Sequence, residues 1–253
     1  MKPMKGKTLF IINLIAALLL SACASTNYYV SECGSETPRH SPSLDEVKWI
    51  LANERDFSGM DLSYLNLAQL DFQFATLNRV ILRGADLRDA NLSRASLNCA
   101  NLHSADLRGA DLSSASLVKA NLEAANLNKA SLERTNLNRS RLHRATMSST
   151  NMQYADLLKA DLSEAVLIGA NLSHARLSEA DLSRADLSQA TIRGANLGWA
   201  DLQGTKLIKV NLQDVELREA NLYNADLTEA NLRGAHNLRT TENNGIIKGV
   251  ASQ

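Results

Sequence analysis

From Phe57 to Leu232 an apolar residue recurs at every fifth position without a slip. The run reads Leu62, Leu67, Phe72, Leu77 and Leu82, passes through Met147, Met152 and Ile192, and gives thirty-six central positions in all. Two places before these stands a small or modest residue, most often alanine, from Ala85 to Ala230, with Thr135, Ser140, Thr150, Thr205, Val210 and Val215 as exceptions. A period of five suits no regular element. On an α-helix five residues advance about 500°, so the leucines would step round by roughly 140° and form no stripe. On a flat strand, where the side-chain period is two, an odd spacing sends alternate leucines to opposite faces. If the backbone turns a corner once per repeat, the alanine and the leucine of one short extended segment both point inward every time, and the chain coils.

The units Ala-Asp-Leu-Arg-Asp (85–89), Ala-Asn-Leu-Glu-Ala (120–124) and Ala-Asp-Leu-Ser-Arg (180–184) carry a resemblance to a known family. They resemble the pentapeptide repeat, A-[D/N]-L-x-x. The resemblance implies an all-β fold, a right-handed quadrilateral β-helix with four repeats per coil, its core filled by the central leucine and the small residue before it. Over residues 57–235 that makes about nine coils, a rod of about 43 Å at the inter-strand spacing.

The flanks differ from the repeats. Residues 1–22 have the layout of an export signal: Lys2, Lys5 and Lys7, then an apolar run from Leu9 to Leu20 broken by Asn13, then small residues. The run is too short for a stable membrane span. Leu20-Ser21-Ala22-Cys23 resembles the lipobox of bacterial lipoproteins, which implies cleavage before Cys23 and a palmitate-bearing lipid on its thiol, an effectively permanent anchor. By the sorting rule of enteric lipoproteins, Ala24 after the cysteine points to the outer membrane facing the periplasm in a Gram-negative cell. Residues 23–42, polar and carrying Pro38 and Pro42, read as a flexible tether. In residues 43–56, Ser43 and Glu46 make a capping-box pattern and Leu44, Val47, Ile50 and Leu51 fall at helical spacing. They predict a short helix covering the open end of the first coil, with Tyr64 and Phe74 packed beneath it. In residues 236–253 the phase breaks, Leu238 comes one place late, and Ile246, Ile247 and Val250 offer a hook that would cover the last coil. With no such cover, the resemblance points to a homodimer joined through the C-terminal end.

All three prolines precede the repeats, as expected where nearly every backbone N–H pairs with a neighbouring coil. The chain holds 27 Lys and Arg against 27 Asp and Glu, but they are unevenly spread. Between Arg79 and Ala145 eleven cations face six anions, whereas from Thr146 to Ala235 eight face twelve. Such an asymmetry can orient the rod on an anionic surface or align two rods head to tail. Cys33 and Cys99 leave a disulfide between them, free thiols and a mixed disulfide all open.

With four repeats per coil, residues twenty apart stack in columns. One outward column reads Arg83, His103, Glu123, His143 and Ser163. Its His-Glu-His order suits zinc in ligand type only, because the face is flat and crowded by Arg83, Arg141 and Arg144, so no metal is expected. A second reads Arg79, Cys99, Lys119, Arg139 and Lys159, then Glu179, Trp199 and Glu219. The four cations Arg79, Lys119, Arg139 and Lys159 are too few and lack interleaved aromatics for nucleic acid, and are candidate partner contacts better suited to anionic lipid headgroups or acidic polysaccharide. Trp199, large and outward by phase, marks a contact site for a protein partner or a neighbouring rod. No nucleophile elbow, phosphate loop, metal-ligand pair or catalytic triad occurs, and neither an enzyme nor a cofactor is implied. The Asp and Asn residues before the central leucine, such as Asp86 and Asn91, are explained by local bonds to the backbone at corners. Two functions follow from the resemblance. The favoured one is a non-enzymatic, lipid-anchored scaffold in the bacterial cell envelope. The alternative is a DNA-mimicking protein that binds type II topoisomerase (gyrase) and protects against quinolones, which the export signal and near-neutral repeats disfavour.

Overall fold

A computed structural model describes residues 33–34 and 40–237. The chain divides into two units, Met1–Thr37 and Pro38–Gln253. The expected signal segment with Cys23, most of the expected tether, and the expected C-terminal hook lie outside the described residues.

In the second unit the five backbone N–H groups of a repeat are all accounted for, as a buried backbone requires. Around Leu87, the Asp86 N–H donates to the Leu65 carbonyl of the coil before (3.0 Å), while the Leu87 and Asp89 N–H groups donate to Asp106 and Arg108 of the coil after (2.7 and 2.9 Å). The Ala90 N–H closes a turn onto the Leu87 carbonyl (3.1 Å). That leaves the Arg88 N–H, which is taken by the Asp86 side chain (3.2 Å). The Asp or Asn before the central leucine is therefore the local backbone acceptor expected, seen again at Asp61, Asn121 and Asp181. Single parallel bridges join each such position to the one twenty residues on, from Asp56 with Thr76 to Glu216 with His236. Each strand is one bridge wide, so the quadrilateral coil contains no extended sheet.

Inside, the central leucines and the preceding alanines are buried from Ala75 to Leu227. Four hydroxyls interrupt this interior, and each finds a carbonyl. Ser140 and Thr150 donate to Leu137 and Met147 of their own turn (both 2.7 Å), and Thr135 and Thr205 donate to Leu112 and Leu182 one coil earlier (2.7 and 2.9 Å). A buried hydroxyl is tolerated there because it is satisfied.

The helix forms as expected, as α1 (Leu44–Asn53), with Ser43 at its N-cap accepting the Glu46 N–H at 3.3 Å. Glu46 does not complete the capping box; its carboxylate meets His40 Nε2 at 3.0 Å. The His40 carbonyl accepts the Asp61 N–H (2.8 Å), standing in for a coil that is not there. Val47 and Ile50 bury their side chains on the core. Arg55 ties the helix to the coil: its guanidinium donates to the Leu51 and Asp71 carbonyls (3.2 and 2.7 Å). Its Nε is buried without a partner.

Tyr64 and Phe74 are not beneath the helix. They are 77% and 59% exposed. The reason is the corner each occupies. The second residue after every central position lies in the left-handed region, at φ 61° for Tyr64 and 60° for Phe74, which turns its side chain out from the flank while α1 covers only the end.

Candidate functional site

The outward columns are candidate recognition surfaces, and their backbone is unusual. Arg79, Lys119, Arg139 and Lys159 all sit at φ 58°, and Trp199 at 59°. A non-glycine residue in this region costs roughly 1–2 kcal/mol. Here the turn and the bonds to neighbouring coils hold it. Gly59, Gly84, Gly109, Gly169, Gly194, Gly204 and Gly234 fall at the same phase. That concentration of glycine was a signal of left-handed corners available in the sequence.

The structure brings the predicted contact residues together as one corner column. Lys159 Nζ lies 3.1 Å from the Glu179 carboxylate one coil on. Trp199 is 53% exposed, with the Arg218 guanidinium 5.0 Å from its ring centroid. Beside the ring a shallow concavity of about 440 Å³ is lined by Glu179 and Trp199. Cys33 and Cys99 are disulfide-bonded. Cys23 lies outside the described residues.

The His-Glu-His order does not assemble a cation site. Arg141 reaches Glu123 at 2.8 Å, and His143 Nδ1 bonds the Ser163 hydroxyl at 2.8 Å. Among the described residues no three His, Cys, Asp or Glu side chains group to hold a metal.

Three further arrangements were not foreseen. Arg88 and Arg108 each grip the aspartate two places earlier, at 2.7 and 2.6 Å, and Arg88 also faces Asp106 at 3.9 Å. The Arg88 hydrogen bond holds the Asp86 carboxyl below its ordinary pKa, and Arg108 does the same to Asp106. On another corner Glu164 stands between Arg144 (2.8 Å) and Arg184 (3.8 Å), and the Arg144 hydrogen bond lowers its pKa. On a third, Arg134 lies over the Tyr154 ring (5.2 Å), which stacks on His174 (5.2 Å, 10° between planes). These pairs depend on side-chain direction as well as column membership, and columns alone did not reveal them.

Residues 56–234 match the family model of pentapeptide repeats in overlapping copies, and the chain belongs to that family. Among solved structures, it is similar to HetL, a pentapeptide repeat protein involved in heterocyst differentiation regulation from the cyanobacterium Nostoc. The two share 33% identity over 77% of this chain and 94% of that one, with a TM-score of 0.45. It is also similar to QnrB1 in a trypsin-treated form, a plasmid-mediated fluoroquinolone resistance protein, at 17% identity over 69% of this chain and 88% of that one, with a TM-score of 0.53. That second likeness concerns the fold alone. No curated protein matches the chain. Proteins of the family are generally non-catalytic. Among the described residues no helix is long and apolar enough to cross a membrane.

Proposed function

We propose that this chain is a non-enzymatic, lipid-anchored rod of about nine coils, a scaffold presenting its outward columns to a protein partner in the bacterial cell envelope. The observation that carries the reading is the N-terminal order of Lys2, Lys5 and Lys7, the apolar run to Leu20, and Leu20-Ser21-Ala22-Cys23. The anchor is the lipid on Cys23, and residues 23–42 are the tether between it and the capped first coil. The disulfide-bonded state of Cys33 and Cys99 supports an oxidising compartment, as an exported protein meets. The Ala24 rule favours the outer membrane. A homodimer through the C-terminal end belongs to the same reading.

Labelling cells with radioactive palmitate tests it. The full chain takes up label and fractionates with membranes, and Cys23→Ala abolishes both. An unlabelled, soluble cytoplasmic protein that inhibits gyrase would overturn the proposal in favour of topoisomerase binding. The partner is sought by crosslinking in cells from a position beside Trp199, followed by mass spectrometry.

A further inference from the structure

The corner column Lys119, Arg139, Lys159, Glu179, Trp199, Glu219 complements its own reverse. The six side chains leave the backbone from equivalent left-handed positions, with φ between 56° and 59°. Neighbours are one coil apart, about 4.8 Å. Set antiparallel against the same column of a second copy, Lys119 faces Glu219, Arg139 faces Trp199 and Lys159 faces Glu179, and the same three pairs recur on the other side of the axis. All six juxtapositions attract, four between opposite charges and two between a guanidinium and an indole. A shift of one coil in one direction puts Lys159 against Lys159, and in the other Glu179 against Glu179. The register is therefore specified by repulsion as well as attraction.

We infer that this corner is an isologous, antiparallel interface for a second copy of this chain, with its two-fold axis between Lys159 and Glu179. Two features of the site fit that occupant. Trp199 stands half exposed at the surface, and the partner's Arg139 enters the shallow, open concavity beside it and Glu179, meeting the part of the indole that the same chain's Arg218 leaves exposed and coming within reach of the Glu179 carboxylate. The 3.1 Å pair of Lys159 and Glu179 becomes half of a four-charge cluster of alternating sign on the axis. The corner carrying Arg144, Glu164 and Arg184 does not offer the same, because its three charges reversed about their own centre set Arg144 against Arg184 and Glu164 against itself. Six coils span only about 24 Å and present one ridge, well short of the ~800 Å² per partner of a standard interface, so the dimer is weak. Its attraction is between exposed charges and falls with salt. The inference does not rest on the lipid anchor.

The test is sedimentation equilibrium of the full chain in detergent at about 50 mM salt, where charge attraction is little screened. The wild type dimerises, and raising the salt dissociates it. Lys119→Glu weakens the dimer by about tenfold, since it replaces two attractive pairs by two repulsive ones. The exchange Lys119→Glu with Glu219→Lys restores it to within about threefold, because the reversed column is complementary again. Glutamate and lysine both already occupy this phase, so neither change strains the corner, and circular dichroism confirms the fold. Trp199→Ala weakens the dimer without restoration by either charge change. A wild-type monomer under these conditions overturns the inference, and so does a dimer indifferent to Lys119→Glu, the behaviour of an end-to-end dimer. Palmitate labelling is unaffected by any of these substitutions, so the two proposals fail separately.

Discussion

The first coil and the middle coils obey the same five-residue register with different side chains. In the middle, Leu122, Leu127 and Leu132 are each preceded by an alanine, and all are buried. In the first coil the central residues include Phe57 and Phe72, whose rings meet edge to face at 5.5 Å, and the positions two before Leu62, Leu67 and Phe72 carry Met60, Leu65 and Leu70. These three are only partly buried, yet they pack on the core. The difference lies in the neighbours. A middle coil has another coil on both sides and must be thin, whereas the first has α1 on one side, whose Val47 and Ile50 meet larger side chains. Alanine two places before the leucine is thus a demand of stacking and not of the corner itself.

The comparison breaks most visibly by removing volume. Leu127→Ala, between coils that cannot close over the gap, is expected to lower stability by about 3–5 kcal/mol. Leu70→Ala, partly exposed beside the helix, should cost less than half as much, read from urea unfolding of the two variants. Equal losses would mean that α1 packs as tightly as a coil.

A smaller effect distinguishes repeats that satisfy the backbone locally from those that do not. Where serine replaces Asp or Asn before Leu117, the Val118 N–H is taken instead by the Asn98 side chain one coil below, at 3.0 Å. Asn98→Ala leaves that donor without its acceptor and should cost about 1–3 kcal/mol, with amide exchange quickening first at Val118. No first-coil residue can be supported from below in this way.

Corner strain comes next. Gly109 sits at φ 70°, and a Cβ built there would lie 2.3 Å from Asp89 Oδ1. Gly109→Ala is expected to destabilise by about 1–2 kcal/mol from the left-handed backbone, plus the displacement of Asp89. Adding Asp89→Ala should recover only the second part, as thermal melts of the three variants would show. Full recovery would mean that the corner stores no strain.

The smallest effect is that of pH. Asp86 and Asp106 have folded pKa values held below the ordinary carboxylate value, each by its arginine hydrogen bond. Their contribution is complete above the unfolded pKa of about 4 and is lost as pH falls through the lower folded values. Asp86→Asn with Asp106→Asn should flatten the acid limb of a stability-against-pH curve, and an unchanged limb would place acid sensitivity elsewhere.

Much of the interior was legible without coordinates. Phe57 to Leu232 at intervals of five, with small residues two before, specify which atoms are inside, because a repeating register imposes one environment on every repeat. The helix was legible from Ser43 and the spacing of Val47 and Ile50. Four repeats per coil was not; it came from the resemblance of the units, and the bridges twenty residues apart supply it independently. Outside, the sequence listed the members of each column without their relations. Arg141 reaching Glu123, Arg134 lying over Tyr154, and Tyr64 and Phe74 turned out to solvent were decided by the left-handed corner and by side-chain direction across coils. The interior is dictated by short-range periodicity and volume. Surface pairs such as Arg141 with Glu123 and Arg134 with Tyr154 join residues about twenty apart in sequence, and which of them meet depends on geometry that exists only once the coils are stacked.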